Sequence, residues 1–399
     1  MEKRVAVLGA TGSIGKSTLS VLRAAPAGHF VPVLFSAHRD LEGLLALHRE
    51  FPRAHLALSR EDHEEEEIDE RFVHTTGTKI STNKKNLLAL LAGSGADVVV
   101  NGISGVAGLE YSLAALGSGA DLALANKETI VAGGRIAGNL ARAHGARVIP
   151  VDSEHSALFS LLEAHRPPAA REGDAPSVEL ILTASGGPFL DASEEELFHV
   201  TPECALQHPT WKMGRKISVD SATLANKGLE IIEAARLFDV PPQDIRVVIH
   251  RQSIAHSFIR LADGSLYAEL SSPDMRLPIH KALYYPERIA TPFARLELPP
   301  IDPLDLKFEK PDGKRFPMLP LAHFALCAGE LYTVAYNAAN EVAVECFLSR
   351  RIGFMDIPFI TQRVLEADWS GDASALEIIM DADARARADA RLFISRLPA

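Results

Sequence analysis

The chain is poor in cysteine. Its three, Cys204, Cys327 and Cys346, are odd in number, far apart and never in a C-x-x-C pair. That pattern supports neither a disulfide framework nor a thiolate zinc site and points to reduced thiols in a cytoplasmic protein. Long apolar runs are absent too: no stretch reaches the roughly 18 uninterrupted apolar residues that a membrane-crossing helix needs. The opening Met1-Glu2-Lys3-Arg4 before Val5–Leu8 imitates a leader, but the apolar run stops at Gly9 inside a glycine motif with no cleavage-like site, so it reads as a first strand. Positive charge is in short supply. Lysine and arginine number 41 against 52 acidic residues, a net charge of -11. This opposes general binding to nucleic acid or an anionic membrane, so a phosphorylated ligand would need a local basic site.

What is present is enough for a large buried core. At 399 residues, 47% of them hydrophobic, the chain exceeds the roughly 250–300 residues at which single cores stop growing, and two or three domains are expected. Short apolar runs at Val5–Leu8, Val31–Phe35, Leu56–Leu58, Asp97–Asn101, Leu122–Ala125 and Val148–Val151 alternate with helix-length segments. They predict βαβ units and a doubly wound α/β domain over 1–151. The acidic run Glu64–Glu67 reads as a solvated face. From 152 to 290 the strand-like segments Val178–Thr183, Arg246–His250, Ala255–Leu261 and Ser265–Leu270 suggest an α+β domain, the last two joined at a hairpin-like turn. Prolines at 292, 299, 300, 303, 311 and 317 predict an extended linker over 291–318. Candidate helices at Leu319–Glu330, Thr333–Arg350, Pro358–Asp368 and Ala373–Leu392 make a C-terminal α-helical domain over 319–399.

Gly9-Ala10-Thr11-Gly12-Ser13-Ile14-Gly15 follows the first strand and opens a helix. Glycines permit a tight turn and close approach of backbone to a pyrophosphate, which the helix N-terminus then attracts. After the second strand stand Ala37-His38-Arg39. Their cations suit the 2′-phosphate of NADP(H) better than a ribose hydroxyl pair, although Asp40, one residue on, keeps NAD open. Asn126-Lys127-Glu128 puts polar groups at the carboxyl end of another strand, where open α/β sheets bind ligands, or simply begins a surface helix.

Further on, Asp152-Ser153-Glu154-His155 places two carboxylates at i and i+2, which in extended chain point the same way. Oxygen ligands without a nearby cysteine suit Mg²⁺, Mn²⁺ or a similar cation. An exposed cap at a helix start is the plainer alternative. Ser221, Asn226, Lys227 and Glu230 lie in one block, and the last three can share a helix face, offering phosphate donors and a third carboxylate. Glu233, one turn on, competes as the ligand. Thr183-Ala184-Ser185-Gly186-Gly187-Pro188 could cradle a phosphate with its amides. Residues 207–216, with His208, Trp211, Met213, Gly214 and three cations, read as a mobile loop that closes over ligand.

Taken together these residues resemble the 1-deoxy-D-xylulose 5-phosphate reductoisomerase family. The matching blocks are GATGSIG at 9–15, ANKE at 125–128, PVDSEH at 150–155, SGGPF at 185–189, HPTWKMGRKISVDSATLANKGLE at 208–230, IHRQSIAHS at 249–257 and NAANE at 337–341. The resemblance implies a Rossmann-like NADPH domain, a central catalytic domain, a C-terminal helical domain and a homodimer. It implies a divalent metal (Mg, Mn or Co) on Asp152, Glu154 and Glu230, and a substrate phosphate on Ser185, Ser221, Asn226 and Lys227. Ser153, His155 and His208 would contact substrate, with Lys127, His155 and His208 joining the metal ligands as catalytic candidates. Trp211 and Met213 would belong to a closing flap, and His256 would lie near the site. Thr11, Gly12, Ser13, Ile14 and Lys127 would form the cofactor site, to which Ala37, His38, Arg39, Asn126, Glu128 and Gly214 are added as candidates. The chain departs from the family at 37–39, where Gly-x-Asn is usual. The implied reaction converts 1-deoxy-D-xylulose 5-phosphate into 2-C-methyl-D-erythritol 4-phosphate through a metal-assisted rearrangement and a hydride from NADPH. Two rivals remain: another NADP-linked dehydrogenase, of the semialdehyde or homoserine type, and a non-catalytic NADPH-binding regulator.

Overall fold

The computed structural model describes residues 2–60, 73, 80–165, 178–211, 213–293, 295–297 and 305–397. The acidic run Glu64–Glu67 and Lys212 of the proposed flap lie outside them. Two compact units are present. The first comprises Met1–Thr129, Ala137–Asp152 and Met275–Phe293, the second Ile130–Ile136, Ser153–Asp274 and Ala294–Ala399.

The first unit is built on a six-stranded parallel sheet of β1 (Lys3–Leu8), β2 (Phe30–Ala37), β3 (His55–Leu58), β4 (Val98–Asn101), β5 (Asp121–Leu124) and β6 (Val148–Pro150), in the order β3-β2-β1-β4-β5-β6. β4 and β5 are buried at every position and β1 at its last four. That is why these segments read as continuous apolar runs rather than alternations: a parallel sheet is covered on both faces. The chain order reverses between β1 and β4, so the carboxyl ends of these two strands flank the crevice where such sheets bind nucleotides. Met275–Phe293 belongs to this unit although the sequence places most of it at the end of the middle block. Its helix Arg276–Tyr284 is tied down by Lys3, whose Nζ donates to the carbonyls of Leu283 at 2.8 Å and Tyr285 at 3.1 Å. Tyr284 packs its ring 4.9 Å from that of Phe30.

The second unit has a mixed sheet in the order β10-β9-β7-β8, with β7 (Val178–Ala184) parallel to β8 (Ile245–Ile249) and antiparallel to β9 (Ala255–Leu261). β9 and β10 (Leu266–Leu270) form the expected hairpin, turned at Gly264, whose φ is +87°. Part of the proline-rich segment joins this sheet: Glu309 exchanges backbone hydrogen bonds with Ile249, and the Phe308 ring stacks on His250 at 4.7 Å. The C-terminal helices span Met318–Ala328, Glu330–Leu348, Asp356–Leu365 and Leu376–Ile394. Gly329, at φ +145°, breaks the first from the second. Tyr336, Phe347 and Phe354 are fully buried in their core.

The helix Ala225–Phe238 is pressed onto Met318–Ala328 through Gly228, where a Cβ would stand 2.6 Å from the Ala322 methyl. Only a glycine allows that approach. It also explains why the middle and C-terminal blocks form one unit.

Candidate active site

In the first unit the nucleotide turn has the geometry its glycines require. Gly9 has φ +73°, and a Cβ there would meet the Gly102 carbonyl at 3.0 Å, while one on Gly15 would collide with the carbonyl of Ala10. Thr11 and Gly12 form the turn, and Ser13 and Ile14 start the helix Ser13–Ala24, whose free N–H groups and dipole favour an anion. A Cβ on Gly102 would lie 3.0 Å from that of Ile14. The loop Gly102–Gly105 after β4 is thus part of the same crevice, which the sequence reading missed. The paired glycines after a buried strand were the available signal.

At the end of β2, Ala37 is buried and His38 and Arg39 are exposed, with His38 Nδ1 3.2 Å from Ser59 Oγ. Asp40 is occupied: it caps the helix Leu41–Glu50 and accepts the Gly43 N–H at 2.9 Å. Asn126 is also committed, capping the helix Lys127–His144 and donating to the carbonyls of Ile103 and Gly105 and to Glu128. It holds the crevice loop in place. Lys127 forms an ion pair with Asp152, which ends the segment Ala137–Asp152 of this unit.

In the second unit the helix Ser153–His165 carries Ser153, Glu154 and His155 in its first turn. Ser153 Oγ donates to Glu154. Lys227 is buried at 3% exposure between Glu154, 2.6 Å away, and Glu230. Burial alone would lower this ammonium, but the two carboxylates outweigh it and hold it above the usual lysine range. Asn226 Nδ2 donates to Glu230 at 2.5 Å, and its own Oδ1 is buried without a hydrogen bond. Glu233, the competing candidate, stands 3.4 Å from His155 Nδ1. His155 is fully buried, and its Nε2 donates to the Glu230 carbonyl at 3.0 Å, which braces the helix bearing Glu230. The carboxylate oxygens and an amide oxygen with no donor are the ligand types that fit a hard divalent cation, and the Lys227 ammonium stands in their midst. Asp152 precedes Ser153 by one peptide bond. Two residues of chain span at most about 7 Å, so the backbone alone keeps it near Glu154.

The Ser185 turn follows β7, with Gly186 and Gly187 at φ +85° and +68°. A Cβ on Gly187 would meet the Ser221 carbonyl at 2.8 Å, so the turn lies against the helix Arg215–Ala222 that carries Ser221. His208 joins this turn to the flap. Its Nδ1 accepts the N–H groups of Thr210 at 3.1 Å and Trp211 at 2.8 Å, which leaves the proton on Nε2, 2.9 Å from Ser185 Oγ. Burial holds this imidazole below its ordinary range. Trp211 stands 6.3 Å from the ring of His256, which bonds Ser271 Oγ. Met213 is half-buried and Gly214 caps the next helix.

Similarity to known proteins agrees with this arrangement. The model for 1-deoxy-D-xylulose 5-phosphate reductoisomerase matches residues 5–134, that for its C-terminal domain 148–238, and that for the DXP reductoisomerase C-terminal domain 270–389. The 1-deoxy-D-xylulose 5-phosphate reductoisomerase of Paraburkholderia xenovorans is 46% identical over 100% of this chain and 97% of its own. That of Treponema pallidum is 44% identical over 99% and 98%. A crystal structure of DOX-P reductoisomerase with NADPH, fosmidomycin and magnesium superposes with a TM-score of 0.91 at 38% identity, covering 98% of each chain. The enzyme from Zymomonas mobilis in complex with NADPH gives 0.86 at 36% identity over the whole of both chains.

Fold and site together define a two-part α/β enzyme, in which a dinucleotide-binding sheet is joined to a separate carboxylate and lysine centre. Within that class, the chain belongs to the 1-deoxy-D-xylulose 5-phosphate reductoisomerase family.

Proposed function

We infer that this chain converts 1-deoxy-D-xylulose 5-phosphate and NADPH into 2-C-methyl-D-erythritol 4-phosphate and NADP⁺, with a divalent cation, in the non-mevalonate route to isoprenoid precursors. The observation that carries the metal and phosphate part is the buried Glu154–Lys227–Glu230 cluster with Asn226 against it. It occurs in a chain that resembles NADPH- and magnesium-bound reductoisomerase structures along nearly its full length.

In this reading Asp152, Glu154 and Glu230 hold the cation, which supplies Lewis-acid polarisation of the substrate oxygens when bound. Ser185, Ser221, Asn226 and Lys227 bind the phosphate, with Ser185 oriented by the Nε2–H of His208. Ser153 contacts the sugar, and His155 acts from behind by fixing the helix of Glu230. Trp211 and Met213 close over the ligand and exclude water. The turn Thr11–Ile14 receives the pyrophosphate, and His38 and Arg39 receive the 2′-phosphate, since Asp40 is spent on its cap. Lys127 serves the nicotinamide end, and Asn126 and Glu128 serve the cofactor through the loop 103–105 that Asn126 holds. Gly214 is a further candidate for the cofactor. The protein works as a homodimer in the cytoplasm; no helix among the described residues is long and apolar enough to cross a membrane.

The test is NADPH oxidation on addition of 1-deoxy-D-xylulose 5-phosphate. It is expected to stop with chelator and to resume with added magnesium. Oxidation that ignores chelator, or requires a different carbonyl substrate, overturns the reading.

A further inference from the structure

The helix Ala225–Phe238 puts Asn226, Lys227 and Glu230 on one face, three and four residues apart. Lys227 Nζ donates to Glu154 Oε1 at 2.6 Å and to Glu230 Oε2, and Asn226 Nδ2 donates to Glu230 Oε1 at 2.5 Å. Both oxygens of Glu230 and one of Glu154 therefore bond to the two side chains assigned above to the substrate phosphate. The same donors have two claimants. A divalent cation needs lone pairs on these carboxylate oxygens, and it repels an ammonium strongly at such short range in a buried setting. A cation that takes Glu154 and Glu230 must push Lys227 Nζ away. Lys227 is 3% exposed, so the displaced ammonium is not simply returned to solvent and needs another anion. A phosphate beside it supplies one.

We propose that metal and phosphate bind cooperatively through this exchange: Lys227 by its charge and Asn226 by its hydrogen bond hold Glu154 and Glu230 until a cation replaces them, and are then delivered to the substrate phosphate. Coupling of this kind is reciprocal, so phosphate must tighten the cation by the factor by which the cation tightens phosphate. The exchange also protects the fold, because the buried carboxylates keep a counter-charge at every stage. The proposal rests on the assignment of Glu230 as metal ligand and of Lys227 as phosphate donor.

The experiment is calorimetric titration of inorganic phosphate into NADPH-saturated wild-type protein, in chelator and in magnesium, followed by magnesium titration with and without phosphate. Magnesium is expected to tighten phosphate by at least about fivefold, with the same factor in the reverse titration. In Lys227→Met the factor should fall towards one, and in Asn226→Ala it should fall less. Simple attraction between cation and phosphate would persist without Lys227, so an undiminished factor in Lys227→Met overturns the exchange. Should Lys227→Met fail to melt cooperatively, the wild-type titrations and Asn226→Ala decide: independent binding in the wild type, or an unchanged factor in Asn226→Ala, overturns it. The underlying assignment is tested separately by Glu230→Gln, which should lose magnesium affinity. Wild-type magnesium affinity in that variant overturns the metal site itself, whereas independent binding in the wild type removes only the exchange.

Discussion

The two units offer ligands different surfaces. In the first, the ligand-facing surface is mostly backbone: a turn that Gly9 bends at φ +73°, a helix N-terminus, and a second turn at Gly102 packed against Ile14. In the second it is side chain, with Lys227 buried between Glu154 and Glu230 and with Ser185 tied to His208. A backbone site tolerates changes of side-chain chemistry but not added volume. A charged side-chain site tolerates the reverse. Each kind of substitution should therefore damage one unit and spare the other.

The largest effect is expected at the carboxylates. Glu230→Gln keeps the volume but removes the charge and one of the two acceptor oxygens, and should lower turnover by at least ~10²-fold, the scale for losing one preorganised electrostatic group. NADPH affinity should hardly change, as fluorescence titration of the cofactor would show. Loss of NADPH binding in this variant would break the division between the units. Gly15→Val is the converse. Its side chain would strike the Ala10 carbonyl, and overpacking of that kind costs roughly 1–3 kcal/mol. NADPH binding and melting temperature should fall together, while magnesium affinity, measured by calorimetry, stays at the wild-type value.

A smaller effect is expected at Arg39, a side-chain contact within the backbone-dominated unit. Arg39→Ala should weaken NADPH by about tenfold, the low end for a charge-assisted hydrogen bond, and leave NADH unaffected. Equal weakening of both cofactors would make Arg39 structural.

The smallest effect concerns pH. The imidazole of His208 is held below its ordinary range, and its Nδ1 accepts two backbone N–H groups. Since the neutral form is the one the fold stabilises, its contribution is complete above about pH 6.5 and is lost as pH falls through the lower, folded-state value. Trp211 emission, read in a Trp369→Phe background, should shift only below pH 6.5 and should lose that shift in His208→Gln. A shift retained in His208→Gln would place the titrating group elsewhere.

The same contrast explains what could be read from the sequence. The buried parallel strands and the glycine turn follow local rules of spacing, and their chemistry is legible within a few residues. So is the shared face of Asn226, Lys227 and Glu230. The partner of Lys227 at Glu154 is 73 positions away, and no periodicity announces it. Likewise Met275–Phe293 belongs to the first unit because Lys3, some 280 positions earlier, bonds its carbonyls. Asp40 illustrates a nearer ambiguity: an acidic residue just past β2 can serve a ribose or cap a helix, and only the bond to the Gly43 N–H decides between them. The crevice loop after β4 is harder to read because its glycines form no recognised spacing and its role depends on Asn126 holding it from another strand end.

One chain both rearranges the carbon skeleton and directs hydride from NADPH to the carbonyl so formed. This is tested most directly by running the reaction with NADPH deuterated at the transferable position and identifying the product by mass spectrometry and NMR. The expected product is 2-C-methyl-D-erythritol 4-phosphate carrying one deuterium, on the carbon that was the aldehyde. An unbranched reduced product, or a branched product without the label, would contradict it.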